Sequence, residues 1–390
     1  MFAQAHFQIA LQLVRQYDGS IPFAAFARSY FAGNRKHGSR DRKQITQLCY
    51  AFFRMGHTLR DWPESKRMLT GLFLSATESN PLLGALHAEW NSDAALPLPE
   101  KIKMLGCDPA LFPVFPWTGL LSDELDPAAF SLSHLRQPRL YVRVRPGYHE
   151  TVIRRLEEKW ISYSEPWPFA LALPTGYDAA RDFAVNRELV IQDLSSQKTA
   201  ELFKKMDPAW LRKKPLRLWD ACAASGGKSI LAVDRLPGIE LTVSDIRSSI
   251  LYNLDKRFAE AGIRNYHRLV VDLSTTIPDI PLQDCIIADL PCSGSGTWAR
   301  TPEQLCYFDP SRIGHYVALQ RRIAGNLLEK LAPGGYLLLV TCSVFRQENE
   351  ENLEWLLERG GLECISSGVI SGAEYQADSM YAALLRKVAD

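Results

Sequence analysis

The spacing of hydrophobic positions changes along the chain, and each change marks a different kind of structure. Residues 1–17 place Ile9, Leu13, Val14 and Tyr17 on one side and contain no continuous apolar block. That pattern predicts an amphipathic helix, not a signal peptide or a membrane span. After Ser39-Arg-Asp-Arg42, the residues Ile45, Leu48, Cys49, Phe52 and Phe53 recur at i, i+3, i+4, i+7 and i+8, the stripe of a core-facing helix. Between about residues 95 and 138 the periodicity fades and prolines gather, among them Pro97, Pro99, Pro109, Pro113, Pro116 and Pro127, which predicts loops and short helices. Residues 140–145 alternate as a strand does, and a helical stretch follows over 151–160 with further short apolar runs. From Leu216 the rhythm becomes strand, loop, helix, repeated, with apolar runs at 216–219, 241–244, 269–271, 285–288 and 336–340. Such alternation predicts a largely parallel sheet covered by helices on both faces.

Length and composition divide this pattern into domains. A chain of 390 residues exceeds what one hydrophobic core usually supports. We read an all-α domain over 1–133, a small α+β module over 134–205 and an α/β domain over 206–390. With 46% hydrophobic and 23% charged residues, a soluble globular chain is expected. Eight cysteines occur without CxxC pairs; with no export signal they read as reduced thiols of a cytoplasmic protein, and no metal site is expected. The formal charge of +1 hides two basic clusters: Arg35, Lys36, Arg40, Arg42 and Lys43, then Lys204, Lys205, Arg212, Lys213, Lys214 and Arg217. Such clusters suit phosphate, and equally suit a solvated surface.

Four of the apolar runs end at an aspartate: Asp220, Asp245, Asp272 and Asp289. In an open α/β sheet, ligands sit outside the carboxyl ends of the strands, so these carboxylates line one crevice unless each merely caps the helix after it. Asp220-Ala-Cys-Ala-Ala-Ser-Gly-Gly-Lys-Ser229 follows the first run, and its small residues let backbone approach a ligand closely. Its tail resembles a triphosphate-binding loop, but Cys222 stands where that motif needs glycine, and the G-x-G-x-x-G of dinucleotide binding is absent too. Combined with Asp245, whose carboxylate can accept ribose hydroxyls, the loop points to a nucleoside cofactor. Two thiols adjoin the crevice: Cys292 in Asp289-Leu-Pro-Cys-Ser-Gly-Ser-Gly296 and Cys342 in Thr341-Cys-Ser343. An arbitrary cysteine is usually core packing; two at neighbouring strand ends beside a cofactor pocket are a site. Glu348-Asn-Glu350 is placed to support the second loop from behind. A thiol suits methylation at C5 of cytosine, because its addition at C6 turns the ring into an enamine nucleophilic at C5. Asp289, sharing a proton, can stabilise charge at N3. Lys228 is the candidate for the local charge that offsets the roughly 2 kcal/mol cost of ionising a thiol of pKa about 8.5 at pH 7. Cys292 is the candidate for assisting release.

Asp289-Leu-Pro-Cys-Ser-Gly-Ser-Gly-Thr297, with Thr341-Cys-Ser343 and Glu348-Asn-Glu350, resembles the Sun/RsmB family of RNA cytosine-C5 methyltransferases, in its bacterial ribosomal-RNA branch. The resemblance covers most of the chain. It implies a Rossmann-like domain dependent on S-adenosylmethionine, an RRM-like RNA-binding module, a NusB-like N-terminal domain, and ribosomal RNA as partner, with transfer RNA or a non-catalytic assembly role as alternatives. DNA and membrane partners are not expected, and a monomer is. It further implies that Cys342 is the nucleophile and Cys292 the release cysteine. Cofactor contacts are implied for Cys222, Ala223, Ala224, Ser225, Gly226, Gly227, Lys228, Asp245, Asp272 and Asp289. Val190-Ile-Gln-Asp193 with Ser195-Ser-Gln197 looks like the family's entry into the catalytic domain. Two positions depart from the family pattern: Ser225 replaces a usual proline, from which a looser turn is expected, and Ile250 replaces a frequent arginine, from which a lost cofactor contact is expected. Arg143, Arg145 and the basic residues near Lys213 are the expected phosphate contacts.

Overall fold

The computed structural model describes residues 2–236 and 238–388. Residue 1, the first of the predicted N-terminal helix, and residues 389–390, the last of the predicted α/β domain, lie outside them. Contacts divide the chain into two compact units, neither of them a single run of sequence. One comprises residues up to Leu121, Leu125–Pro138 and Thr297–Pro310; the other comprises Ser122–Glu124, Arg139–Gly296 and the residues from Ser311 onward.

The first unit is helical. It contains α1 (Phe2–Gln16), α2 (Phe23–Gly33), α3 (Ser39–Arg54) and α4 (Glu64–Ser75), then the short α5 (Pro81–Leu86), α6 (Ala88–Ser92), α7 (Leu98–Met104) and α8 (Pro127–Ser133). Helix α3 buries the stripe its sequence predicts, Ile45, Leu48, Cys49, Phe52 and Phe53. Asp41 in its first turn accepts a hydrogen bond from the Gly38 N–H at 3.1 Å, satisfying a donor that the helix start leaves open. The late segment Thr297–Pro310, carrying α14 (Glu303–Tyr307), is built into this unit. The buried Arg54 guanidinium donates to the carbonyls of His134, Arg136 and Ala299 at 2.9, 3.0 and 2.8 Å. Glu303 accepts from the Phe23 N–H at 3.1 Å, and Trp298 packs against Phe115 and Trp117.

The second unit holds two sheets. The smaller is antiparallel, in the order β2-β3-β1-β4, from β1 (Leu140–Val144), β2 (Ser164–Trp167), β3 (Ala170–Leu173) and β4 (Leu189–Ile191), with α9 (His149–Glu158) over it. Val142, Val144, Val152, Leu156, Leu171, Leu173 and Leu189 form its core. After the short helices α10 (Leu194–Lys198) and α11 (Pro208–Leu211) comes the larger sheet: β5 (Leu216–Asp220), β6 (Ile239–Asp245), β7 (Tyr266–Val270), β8 (Gln283–Asp289), β9 (Leu331–Thr341), β10 (Leu362–Ile370) and β11 (Met380–Lys387). The helices between them are α12 (Gly227–Arg235), α13 (Ser248–Ala261), α15 (Ile313–Leu328) and α16 (Glu350–Glu358). The strand order is β10-β11-β9-β8-β5-β6-β7. Pairing is parallel from β9 to β7, and β11 runs antiparallel to both neighbours.

Alternation along each central strand feeds two cores. Leu218, Val243, Ile287 and Leu338 face one layer with Leu251 and Phe258, while Trp219, Ile286, Leu337 and Leu339 face the other with Ile323 and Leu353. The chain leaves β5 toward β6 and β7 on one side and returns to β8 and β9 on the other. This reversal opens a crevice at the carboxyl ends of β5 and β8, where such sheets bind ligands.

Candidate active site

The glycine-rich loop joins β5 to α12 at this crevice. Ala224 and Gly226 both adopt positive φ, 47° and 81°. At Gly226 a Cβ would fall 2.6 Å from the Phe258 ring and 3.1 Å from Leu254, so both backbone conformation and close packing require glycine there. The loop is tied at two points: the Ala224 N–H donates to Asp245 Oδ2 at 3.1 Å, and Arg257 donates to the Ser225 carbonyl and hydroxyl at 2.9 and 2.7 Å. Ser225 therefore does not leave the turn loose; its hydroxyl gives Arg257 an acceptor that proline lacks.

Nine of the ten expected cofactor residues divide between two neighbouring cavities. One, of about 410 Å³, is lined by Cys222, Ala224, Asp245, Asp272 and Asp289 together with Arg247, Leu273 and Leu319. The other, of about 160 Å³, is lined by Ala223, Ala224, Ser225, Gly227, Lys228 and Asp289, with Ser196 and Asp220. Gly226 lines neither and serves as the N-cap of α12. Arg247 escaped the sequence reading. Its guanidinium donates to both Asp245 oxygens at 3.0 and 3.2 Å, placing a cation in the large cavity from two residues beyond the acidic strand end. Near Ile250, the departure from the family pattern, Arg247 is thus the arginine at this edge. Asp272 is held by Ser274, whose N–H and hydroxyl donate to it at 2.9 and 2.6 Å; these bonds keep its carboxyl below the ordinary range.

Cys292 and Cys342 meet, with sulfurs 3.2 Å apart. Parallel pairing sets Asp289 opposite Val340, so the segments after β8 and β9 leave the sheet side by side. They are then bound together: the Gly296 N–H donates to the Cys342 carbonyl at 2.9 Å, and the Gly296 carbonyl accepts from the Ser379 N–H at 2.9 Å. Asn349 holds the second segment, accepting from the Thr341 hydroxyl at 2.5 Å and donating to the Ser343 carbonyl at 3.1 Å. Glu348 reaches across to the first segment instead, taking the Ser293 N–H at 2.9 Å.

Charge at the site is arranged around Lys228 and Asp289, whose Nζ and Oδ2 are 2.7 Å apart. Burial alone would lower the Lys228 pKa, but the Asp289 charge and hydrogen bond outweigh it and hold the ammonium form. The hydrogen bond to Cys342, followed by burial, pushes the Cys292 thiol well up, so Cys292 keeps its proton at neutral pH. Asp220 is fully buried; burial pushes its carboxyl up to about 7 against the Ser229 hydrogen bond. Its Oδ1 has no partner among the described residues.

The expected phosphate contacts on β1 are corrected by the structure. Arg143 is buried and, with Arg145, is paired to Asp234 of α12 at 2.5 and 2.8 Å. These arginines fasten the small sheet to the large one. Lys213 pairs with Asp284 at 3.0 Å and lies over the Trp210 ring. By contrast, Arg35, Lys36, Arg40 and Lys43 are exposed, and none is in an ion pair among the described residues.

Residues 210–383 match the family model described as 16S rRNA methyltransferase RsmB/F. Over that stretch the chain is similar to the RsmB/F methyltransferase family. A ribosomal RNA small subunit methyltransferase B from Xylella fastidiosa is 33% identical over 246 residues, covering 60% of this chain and 56% of the relative. A methyltransferase F from Cronobacter sakazakii is 32% identical over 192 residues, covering 48% and 38%. The chain spans about half the length of the first of these relatives. Among solved structures, PH0851 superposes over 98% of both chains with a TM-score of 0.69 at 19% identity. NSun6 from Pyrococcus horikoshii with SFG covers 70% of this chain and 97% of its own, with a TM-score of 0.57 at 17% identity. These likenesses show a shared fold, and the match to the RsmB/F family model indicates S-adenosylmethionine as cofactor. No helix among the described residues is long and apolar enough to cross a membrane.

Proposed function

We propose that this protein transfers a methyl group from S-adenosylmethionine to C5 of a cytosine in RNA, through a covalent bond between Cys342 and C6, and that small-subunit ribosomal RNA is its substrate. The observation that carries this reading is the pair of thiols in contact at the mouth of the cofactor crevice, beside a lysine–aspartate ion pair.

Two features support the fit of S-adenosylmethionine to these residues. The larger cavity joins carboxylates, Asp245 and Asp272, to the apolar Leu273 and Leu319, the mixture that a ribose and a flat base need. The smaller cavity lies at the amino end of α12 and contains an orphaned buried carboxyl oxygen on Asp220, a polar setting for an amino-acid tail. When bound, the cofactor supplies an electrophilic methyl group.

The chain's own groups account for the remaining steps. Lys228 holds positive charge near Cys342, whose sulfur adds to C6. Asp289, which accepts from the Lys228 ammonium, can take a proton from it and pass that proton to N3 as negative charge builds there. Solvent water takes the C5 proton, and elimination then reverses the addition. The protonated Cys292, in contact with the Cys342 sulfur, delivers a proton to that sulfur as the S–C6 bond breaks. The target base must be unpaired or flipped out, because C6 is inaccessible within a stacked helix. We assign backbone contact to Arg35, Lys36, Arg40 and Lys43 on the helical unit, which is the part of the chain proposed to be NusB-like.

The test uses RNA lacking the modification and the two cysteine variants. Cys342→Ala is expected to abolish methyl transfer, and Cys292→Ala to accumulate a protein–RNA adduct that survives denaturing electrophoresis, with the modified cytosine located by bisulfite sequencing. Full turnover by Cys342→Ala would sink the reading.

A further inference from the structure

Two thiols that act in turn on one base need only share a pocket, yet Cys292 and Cys342 touch at 3.2 Å. Both are free, half-buried and on the wall of the larger cavity, where a small solute can reach them. The backbone bonds from Gly296 to Cys342 and Ser379, and from Ser293 to Glu348, hold their segments in this register. Among the described residues no other two cysteines come within hydrogen-bonding distance of each other. Cys49 and Cys285 are buried in the core, and Cys364 is exposed on β10.

We propose that this pair is an oxidation site, at which a hydroperoxide joins Cys292 and Cys342 in an intramolecular disulfide that a dithiol reopens. In the first step the Cys342 sulfur attacks a peroxide oxygen. The O–O bond breaks, Cys342 becomes a sulfenic acid, and with hydrogen peroxide one water is released. In the second step the Cys292 sulfur attacks the sulfenic sulfur and gives up its proton, and the hydroxyl leaves as a second water. The two thiols lose two electrons and two protons in all, and the peroxide takes them up. Although the Cys292 thiol keeps its proton, contact between the sulfurs favours the second step over attack by more peroxide, so Cys342 is protected from irreversible oxidation. The consequence for activity rests on the proposed function: a bridged Cys342 cannot add to C6, so methyl transfer falls in proportion to the bridged fraction and returns on reduction.

The experiment uses the full chain carrying Cys364→Ser, treated with hydrogen peroxide, blocked with an alkylating reagent and mapped by mass spectrometry. The expected result is loss of two titratable thiols and appearance of one cross-linked peptide pair, Cys292 with Cys342, both reversed by dithiothreitol. With Cys292→Ser added, Cys342 is expected to proceed to sulfinic and sulfonic acids. Over-oxidation of Cys342 at the same rate with and without Cys292, or oxidation spread over the other cysteines with no such pair, overturns the proposal. The bridge is read without RNA or cofactor. Failure of the reduced Cys292→Ala protein to trap RNA counts against the methyltransferase reading alone.

Discussion

Asp220 is a buried carboxyl with one oxygen satisfied by Ser229 and the other without a partner among the described residues. Folded, it keeps its proton to about pH 7, against the ordinary 3.8. Between roughly pH 4 and 7 the folded state therefore binds more protons than the unfolded state, and stability falls as pH rises through that window. Asp220→Asn keeps the shape and removes the titration. The variant is expected to unfold at higher urea than the parent at pH 8, by an amount on the order of a few kcal/mol, with the difference closing below pH 4. A gap independent of pH between 3.5 and 8 would show that Asp220 is not the group responsible. At this scale the sequence was informative where strand ends dictate placement: Asp220, Asp245, Asp289, Cys292 and Cys342 lie near one another because parallel strands bring their carboxyl ends together. Arg247 was not legible, because an arginine beside an acidic residue looks like ordinary solvated charge. Arg143 and Arg145 were misread, because alternation along β1 does not reveal that Asp234 of α12 faces them.

Strands and loops set the register in which these side chains act. Gly296 is the tightest point: a Cβ there would fall 1.9 Å from the Ser379 carbonyl oxygen and 3.1 Å from that of Cys342. Gly296→Ala is expected to push the Cys292 segment away from β9. A displacement of about 1 Å at a reacting group costs on the order of 100-fold in rate, so kcat should fall by about that factor while RNA affinity holds. Unchanged kcat would mean that the segment yields without cost. The parallel strands β5 to β9 were readable as short apolar runs ending in turn or acidic residues. The antiparallel β10 and β11 were not, since Leu362–Ile370 mixes Ser, Gly and Cys with apolar residues and follows a helix closely. Small strands such as β4, three residues long, are too short to show a period.

For the whole molecule, charge bears on how RNA is engaged. A formal charge of +1 gives little general attraction to a polyanion, so affinity must come from local groups, and among the described residues Arg35, Lys36, Arg40 and Lys43, before and at the start of α3, form an exposed cluster with no ion pair. Replacing Arg35, Lys36, Arg40 and Lys43 with glutamine is expected to flatten the dependence of log affinity on log salt by up to about 3, at about 0.7 per phosphate contact with single-stranded RNA. An unchanged slope would place the contacts elsewhere. No periodicity announced that Thr297–Pro310 completes the helical unit, because its determinants are long-range partners such as Arg54 with Ala299.

That late segment also imposes an order on synthesis. Domains emerging from a ribosome usually fold amino-terminal first, at about 5–20 residues per second. Here the helical unit cannot close when Pro138 appears, since Thr297–Pro310 is still unmade. At those speeds the delay is on the order of ten to thirty seconds. Throughout it, the nascent chain leaves Phe23, Phe115 and Trp117 without the contacts that Glu303 and Trp298 later provide, so apolar surface of the helical unit stays uncovered until residue 310 has been made.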